Sequence, residues 1–397
     1  MDVNGAWVGY GLGDVSATVE DMKKHLVAKF SYAAPLQASL DAGAVEALTY
    51  DQTMVDVVTQ MQTRYLADPA TIVTAVLKVT GVMNFAWQVR CGFAAAPKIT
   101  ILTWQGTGVS MWDTDSPQPF GAAQYVARAC PNVFVQPVGN YPAAVYPMGS
   151  SAHQGVSEGA KLLTGAEPSP TAASGPVILF GYSQGAVCAS WLWRDHILNP
   201  SGDCHHRIND VIAAATFGNP LRSPGIANGN LNDASGVYAM PGLRDGQVTG
   251  GIAGPDCLRP DEVPDWWYDY VFTGGDGGAT ELYANAPVGD TPWDGEPDVG
   301  LDETLIYNMI MVDNFGGTLE GLVALIKAVV DQFTMPLAEL IGLAESIWNG
   351  LLFLGNGPAA DHYNYDWQPA IEYLTEVCTR WTDTYVNSGG AVVLHAA

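Results

Sequence analysis

The sequence predicts an α/β protein: a parallel sheet covered by helices, with a small helical domain ahead of it. Three observations carry this. From Lys98 onward, short apolar runs alternate with segments of helix length, as in a parallel sheet buried on both faces. Before about Pro97 the pattern is instead one of short amphipathic helices and turns. One apolar run also passes through a glycine-flanked serine directly into a helical segment. With 397 residues, 48% of them hydrophobic, the chain is long enough for two modules and apolar enough for a packed core.

The elements follow in order. Thr18 is the expected cap of a first helix, in which Val19, Met22, Leu26 and Phe30 recur at helical spacing. Asp51 is the expected cap of a second, with Met54, Val58, Met61 and Tyr65 on one face, and Pro35-Leu36-Gln37 lies between the two. These residues form the first module, 1–97. The second module, 98–397, opens with the strands Ile99–Thr103 and Val133–Val135. The apolar runs Val177–Phe180, Val211–Phe217 and Trp267–Phe272 supply three more. An insertion at about 300–355 is expected to be helical. Leu322, Leu325, Ile326, Val329, Val330 and Phe333 form its apolar stripe, Met335-Pro336 breaks it, and Leu337 to Leu354 continues as another apolar helix. Two readings of this insertion stay open: packing against the body, or a lid and acyl-chain platform. A last helix is expected over Gln368–Arg380.

Charge and composition exclude several classes. The 41 acidic and 16 basic side chains give a formal charge of −25, which repels phosphate backbones and anionic lipid, so no nucleic-acid partner is expected. The acids between Asp256 and Glu303 lack the spacing of a calcium loop. Charges at Lys327, Asp331, Glu339 and Glu345 interrupt the most apolar stretch, so no integral membrane segment is expected, and no signal peptide is apparent. The six cysteines fit neither a metal cluster nor a redox pair; their scatter admits one or two disulfides, and Cys188 is expected to be a buried free thiol.

The chemistry centres on Gly181-Tyr182-Ser183-Gln184-Gly185, set between the strand Val177–Phe180 and a helix starting at Ala186. Glycine, any residue, serine, any residue, glycine between a strand and a helix is the nucleophile-elbow pattern of the α/β-hydrolases. The glycines permit a turn sharp enough to expose the Ser183 hydroxyl, and the helix N-terminus points N–H groups at the reacting centre. A simple Gly-Ser turn is the plainer alternative. A serine needs a histidine base and a carboxylate to orient it, in the chain order serine, acid, histidine. Among the histidines after Ser183, His196 is too near in sequence to turn back. His205 and His206 lie in a polar loop before the next strand, and His395 is close to the chain end. His362, in the loop before the last helix, is the candidate base. The acid is expected after the strand ending at Phe272, where Asp276 and Glu281 compete; Asp269 lies inside the strand and is expected to face structure. The oxyanion donors are expected to be the backbone N–H of Gln184 and that of Thr107, with Gly106 second, in the loop Gln105-Gly106-Thr107-Gly108.

The stretch from Lys98 to Tyr373 resembles the mycobacteriophage lysin B esterases, relatives of cutinases. The likeness is carried by Gln105-Gly106-Thr107-Gly108, Gly139-Asn140-Tyr141-Pro142-Ala143-Ala144, the Ser183 pentapeptide, Phe217-Gly218-Asn219-Pro220-Leu221-Arg222, Leu282-Tyr283-Ala284 and His362-Tyr363-Asn364. The resemblance implies a cutinase-like α/β-hydrolase fold with a helical insertion ahead of the histidine. It implies hydrolysis of the ester joining mycolic acids to arabinogalactan during phage lysis, by an enzyme made in the host cytoplasm and released with a holin. It carries Ser183 and His362 over directly. The family's usual aspartate precedes its Met/Leu-Tyr-Ala stretch, where this chain has Glu281; Asp276 is the slightly preferred alternative because aspartate is the family's usual acid. The family's histidine ahead of Gly-Thr-Gly is Gln105 here. The N-terminal module resembles the peptidoglycan-binding domain of cell-wall hydrolases, which implies peptidoglycan as a partner, against the plainer reading of a helical cap. No metal and no organic cofactor is expected. A cutinase or lipase acting on smaller esters, a mycolyl acyltransferase and a non-catalytic envelope-binding protein are the competing functions.

Overall fold

The computed structural model describes residues 2–3, 6–7, 9–68, 78–94, 98–114, 118–169, 171–244, 246–273, 281–294, 301–351 and 362–387. The chain divides into two compact units. One comprises Met1–Lys98, Tyr125–Val133 and Glu372–Ala397, the other Ile99–Gln124 and Phe134–Ile371.

In the first unit, helices α1 (Ala17–Lys29) and α2 (Gln52–Leu66) bring Val19, Met22, Leu26, Met54, Val58 and Met61 into one core with Trp87. Asp51 caps α2, accepting from Met54 N at 2.8 Å. The cap of α1 is Ser16 rather than Thr18. Ser16 holds the extended backbone a cap needs (φ −163°), and its Oγ accepts from Thr18 N at 3.0 Å, which places Thr18 inside the first turn. Lys23 is fully buried, and its ammonium donates to Ser39 Oγ, Glu46 O and Asp51 Oδ2.

The second unit is built on a five-stranded sheet: β1 (Ile99–Trp104), β2 (Val133–Pro137), β3 (Val177–Tyr182), β4 (Val211–Phe217) and β5 (Trp267–Tyr270), in the order β2-β1-β3-β4-β5. The pairs β1–β3, β3–β4 and β4–β5 are parallel. Every residue of β1, β3 and β4 is buried, as expected of strands covered on both faces, whereas β2, at the edge, has Phe134 exposed and Val135 and Gln136 half-buried. The intervening helices are α3 (Pro119–Ala129), α4 (Met148–Thr164) and α5 (Gln184–Trp191). The sequence places the start of each of the five strands correctly, ending the first one residue early, the second and third two residues early and the fifth two residues late.

The insertion is helical: α6 (Leu301–Met311), α7 (Leu319–Ala328) and α8 (Leu337–Leu351). Leu322, Ile326, Leu340, Ala344 and Ile347 are fully buried in the same core as Trp104 and Leu192. Asp302 on α6 pins the link between α7 and α8, accepting from Thr334 N, Thr334 Oγ1 and Met335 N. Packing against the body therefore accounts for these faces. Residues 352–354 of the expected second insertion helix lie outside the described residues. The last helix, α9, runs Gln368–Asn387, longer than predicted. All six cysteines are buried and none is bridged to another, so the disulfides that the sequence admits are not formed. Cys188 packs against α4 with its Sγ 3.4 Å from Ala152 O.

Candidate active site

The site lies at the C-terminal edge of β3, where the strand must reverse into α5 within a single residue. Ser183 takes that turn at φ 56°, ψ −121°, a left-handed region that costs a non-glycine residue of order 1–3 kcal/mol. Its glycine neighbours are required by contact. A Cβ on Gly181 would stand 2.5 Å from Gly185 O, and one on Gly185 would stand 2.2 Å from Trp104 O. Ser183 N donates to Phe217 O at 3.0 Å, tying the bend to the end of β4.

His362 and Glu281 meet Ser183 there. His362 Nε2 lies 2.8 Å from Ser183 Oγ, and His362 Nδ1 lies 2.7 Å from Glu281 Oε1. Ser183 is 2% exposed, and both partners are fully buried. Glu281 is itself held: Tyr283 N donates to Oε1 at 2.9 Å and Ala284 N to Oε2 at 2.5 Å. Glu281 thus accepts at both oxygens from the Leu282-Tyr283-Ala284 turn and faces the imidazole. Asp276, the other predicted acid, lies outside the described residues. Asp269 faces structure, as the sequence suggested: it is fully buried on β5 and accepts from Thr216 Oγ1 and Asn219 Nδ2. Burial raises its carboxyl above the ordinary aspartate range, against the pull of those two donors.

The imidazole sits in a tailored seat. Gly218, at φ +53°, leaves room that a Cβ would fill, 2.6 Å from His362 Cε1 and 2.8 Å from Nδ1. The Tyr283 ring packs with its centroid 4.4 Å from that of His362, and Tyr182 lies on it at 5.2 Å. Tyr182 also donates its hydroxyl to His362 O. Burial pushes both phenols well above their ordinary value, so each remains a neutral donor.

The two residues predicted as oxyanion donors are linked through the Gln184 side chain. Gln184 follows Ser183 at the start of α5, and Thr107 lies in the loop after β1, 1% exposed. The Gln184 side chain fixes the two together. Its Oε1 accepts from Tyr141 OH (2.9 Å) and Ser151 Oγ (2.8 Å), while its Nε2 donates to Ala144 O (2.9 Å) and reaches Thr107 Oγ1 (3.4 Å). The N–H of Gly106, the second choice, is committed to Gln118 Oε1 at 2.9 Å. Gln105, where the sequence placed no role, anchors the loop by accepting from Phe120 N and donating to Asp113 O.

Other sequence candidates fall elsewhere. His196 pairs with Asp203 Oδ1 at 2.7 Å, His205 faces Ile197 O, and His395 lies outside the described residues. Sequence reasoning missed Gly218, Tyr283 and the Gln184 side-chain clamp. The Gly218-Asn219-Pro220 and Leu282-Tyr283-Ala284 patterns were visible as strings, but nothing local says that they converge on one imidazole. Among the described residues no cluster of histidine, cysteine, aspartate and glutamate forms a metal site, and no helix is long and apolar enough to cross a membrane. The arrangement holds a hydroxyl, an imidazole and a carboxylate in one hydrogen-bonded line. That is what attack on an acyl carbon by serine requires.

Comparisons with known proteins agree. The PE-PPE domain model matches residues 131–241. Endolysin B of Mycobacterium phage D29 is 28% identical over 255 residues, covering 61% of this chain and 86% of that protein. Endolysin B of Mycobacterium phage L5 is 28% identical over 254 residues, with the same coverage. Among solved structures, lysin B from mycobacteriophage D29 aligns with 70% of this chain and 99% of its own, at 26% identity and a TM-score of 0.49. A cutinase-like protein from Cryptococcus sp. aligns with 58% of this chain and 97% of its own, at 17% identity and a TM-score of 0.33. The chain is homologous to the endolysin B (lysin B) proteins of mycobacteriophages and is a lipolytic carboxylic ester hydrolase.

Proposed function

We propose that this esterase cleaves the ester between mycolic acids and arabinogalactan in the mycobacterial envelope during phage lysis, with Ser183, His362 and Glu281 as its triad. The observation that carries the triad is the unbroken line Ser183 Oγ–His362 Nε2 at 2.8 Å and His362 Nδ1–Glu281 Oε1 at 2.7 Å. His362 takes the Ser183 proton as Oγ attacks the ester carbonyl. The negative charge that develops on the acyl oxygen is met by the N–H groups of Thr107 and Gln184. Collapse of the tetrahedral intermediate expels the sugar alcohol, which receives the proton from His362. A water then repeats the sequence on the acyl-enzyme and releases the free acid. Glu281 keeps the imidazole in the tautomer that accepts at Nε2 and stabilises the imidazolium once formed. The choice of a mycobacterial ester is supported by the similarity to endolysin B of two Mycobacterium phages.

The test incubates the full chain with purified mycolyl-arabinogalactan beside nitrophenyl esters of short and long acids. Release of free mycolic acid, abolished in Ser183→Ala, supports the proposal. Turnover of nitrophenyl esters alone makes it a general cutinase-type lipase, and a transferred mycolyl product makes it an acyltransferase. Failure of a fluorophosphonate to label Ser183 removes the catalytic reading altogether.

A further inference from the structure

Away from the serine, on the flank of β2, a groove of about 160 Å³ is lined by Trp112, Gln136, Gly139, Asn140, Glu158 and Glu167, among others. At roughly 30 Å³ per water this is the space of about five waters, close to one sugar ring. Trp112 is 61% exposed, and Phe120 meets it edge-on at 6.1 Å. Gly139 keeps the groove open, since an added Cβ would stand 3.3 Å from Trp112 Cζ2.

The lining selects the ligand. Asn140 Nδ2 donates to Glu158 Oε2 at 3.0 Å, and Lys161 is held by Glu158 Oε1 at 2.5 Å. Among the lining residues there is no cation, so phosphate and carboxylate ligands meet net negative charge. An acyl chain would shut the charged Glu158 carboxylate and its Asn140 partner away from water, which costs free energy that no apolar contact returns. A neutral polyhydroxylated ring satisfies both demands: its C–H face covers the indole and its hydroxyls reach the amide and carboxylate oxygens.

The groove is joined to the reacting centre by its walls. Trp112 lies in the loop that begins at Thr107, and Gln105 ties down that loop by donating to Asp113 O in its middle and accepting from Phe120 N at its far end. On the other wall, Asn140 precedes Tyr141, whose hydroxyl donates to Gln184 Oε1 beside the nucleophile. We infer that the Trp112 groove binds a sugar ring of the alcohol half of the ester, with the indole as its platform. The inference rests on the esterase reading of Ser183 and adds a binding site to it.

The experiment measures kcat/KM of the full chain on octanoyl esters of a methyl pyranoside and a methyl furanoside, beside nitrophenyl octanoate. In Trp112→Ala the ratio of glycoside-ester to nitrophenyl-ester kcat/KM falls about tenfold for at least one glycoside, carried by KM. Trp112→Phe restores most of it, and thermal unfolding checks that both variants fold. An unchanged ratio for both glycosides, whether all rates hold or all fall together, overturns the inference. If the wild type turns over nitrophenyl octanoate but neither glycoside ester, the inference fails while the esterase reading stands. If Ser183→Ala leaves nitrophenyl turnover intact, it is the esterase reading that fails.

Discussion

Replacing Glu281 tests the site most directly, because its carboxylate contacts the imidazole at 2.7 Å in a fully buried pair. An imidazolium and a carboxylate with charge centres about 4 Å apart attract by roughly 4 kcal/mol at an effective dielectric near 20. Most of that attraction arises as His362 takes the proton, so Glu281→Ala is expected to lower kcat by about 10³-fold. Two shorter steps sharpen the test. Glu281→Asp withdraws the carboxylate by one methylene, roughly 1.5 Å of bond length, so direct contact with Nδ1 is lost and kcat falls about 10- to 100-fold. Glu281→Gln presents an NH₂ group to either Tyr283 N–H or Ala284 N–H, both of which now donate to the carboxylate. One buried donor loses its acceptor, which costs about 1–3 kcal/mol of stability on top of the rate loss. The assay is steady-state hydrolysis of a soluble nitrophenyl ester, with circular dichroism to confirm the fold. Retention of kcat within tenfold in Glu281→Ala, with the loss appearing in Asp276→Ala instead, would refute the assignment.

Three further outcomes follow from the same contacts. Gly218→Ala places a methyl 2.6 Å from His362 Cε1 at a backbone φ of +53°; kcat is expected to fall at least 100-fold while stability drops by about 1–3 kcal/mol, read by ester hydrolysis and thermal melting. Asp269 has its native pKa raised, chiefly by burial, so the native state holds that proton more tightly than the unfolded chain. Its contribution to stability is therefore complete below about pH 4 and declines as pH rises toward the raised native value. Asp269→Asn removes that decline, which urea titrations across the range would show as a flatter stability profile; an unchanged profile contradicts the reasoning. Lys23→Ala leaves Asp51, 30% exposed, without its buried cation and is expected to cost about 3 kcal/mol, seen as a lowered urea midpoint.

How much of this was legible beforehand varied with the range of the interaction. The strands were legible because full burial on both faces forces nearly continuous apolar runs, as in Val177–Tyr182 and in Val211–Phe217, where Thr216 alone interrupts the run. The elbow was legible because backbone contacts at Gly181 and Gly185 exclude any side chain, and such exclusion leaves a local mark. The approach of His362 to Ser183 could be reached by eliminating the other histidines by their place in the chain. The carboxylate partner could not, since two acids share one loop and only the fold decides which faces the imidazole. The same holds for Gly106 against Thr107, where a distant glutamine, Gln118, engages one N–H. Ser16 took the cap from Thr18 because capping depends on the backbone angle of one residue, which composition does not encode.

The Gln184 side chain, bound at both its oxygen and its nitrogen, has a consequence for inhibitors. In the proposed mechanism one N–H comes from Gln184 and the other from the loop to which its side chain is fastened, so that mechanism requires a receptor for a tetrahedral adduct that exists before any ligand arrives. A boronate or phosphonate mimic should therefore reach its final affinity in one rapid phase, with no slow-onset tightening. Loosening the fastening by Gln184→Ala should turn that single phase into two.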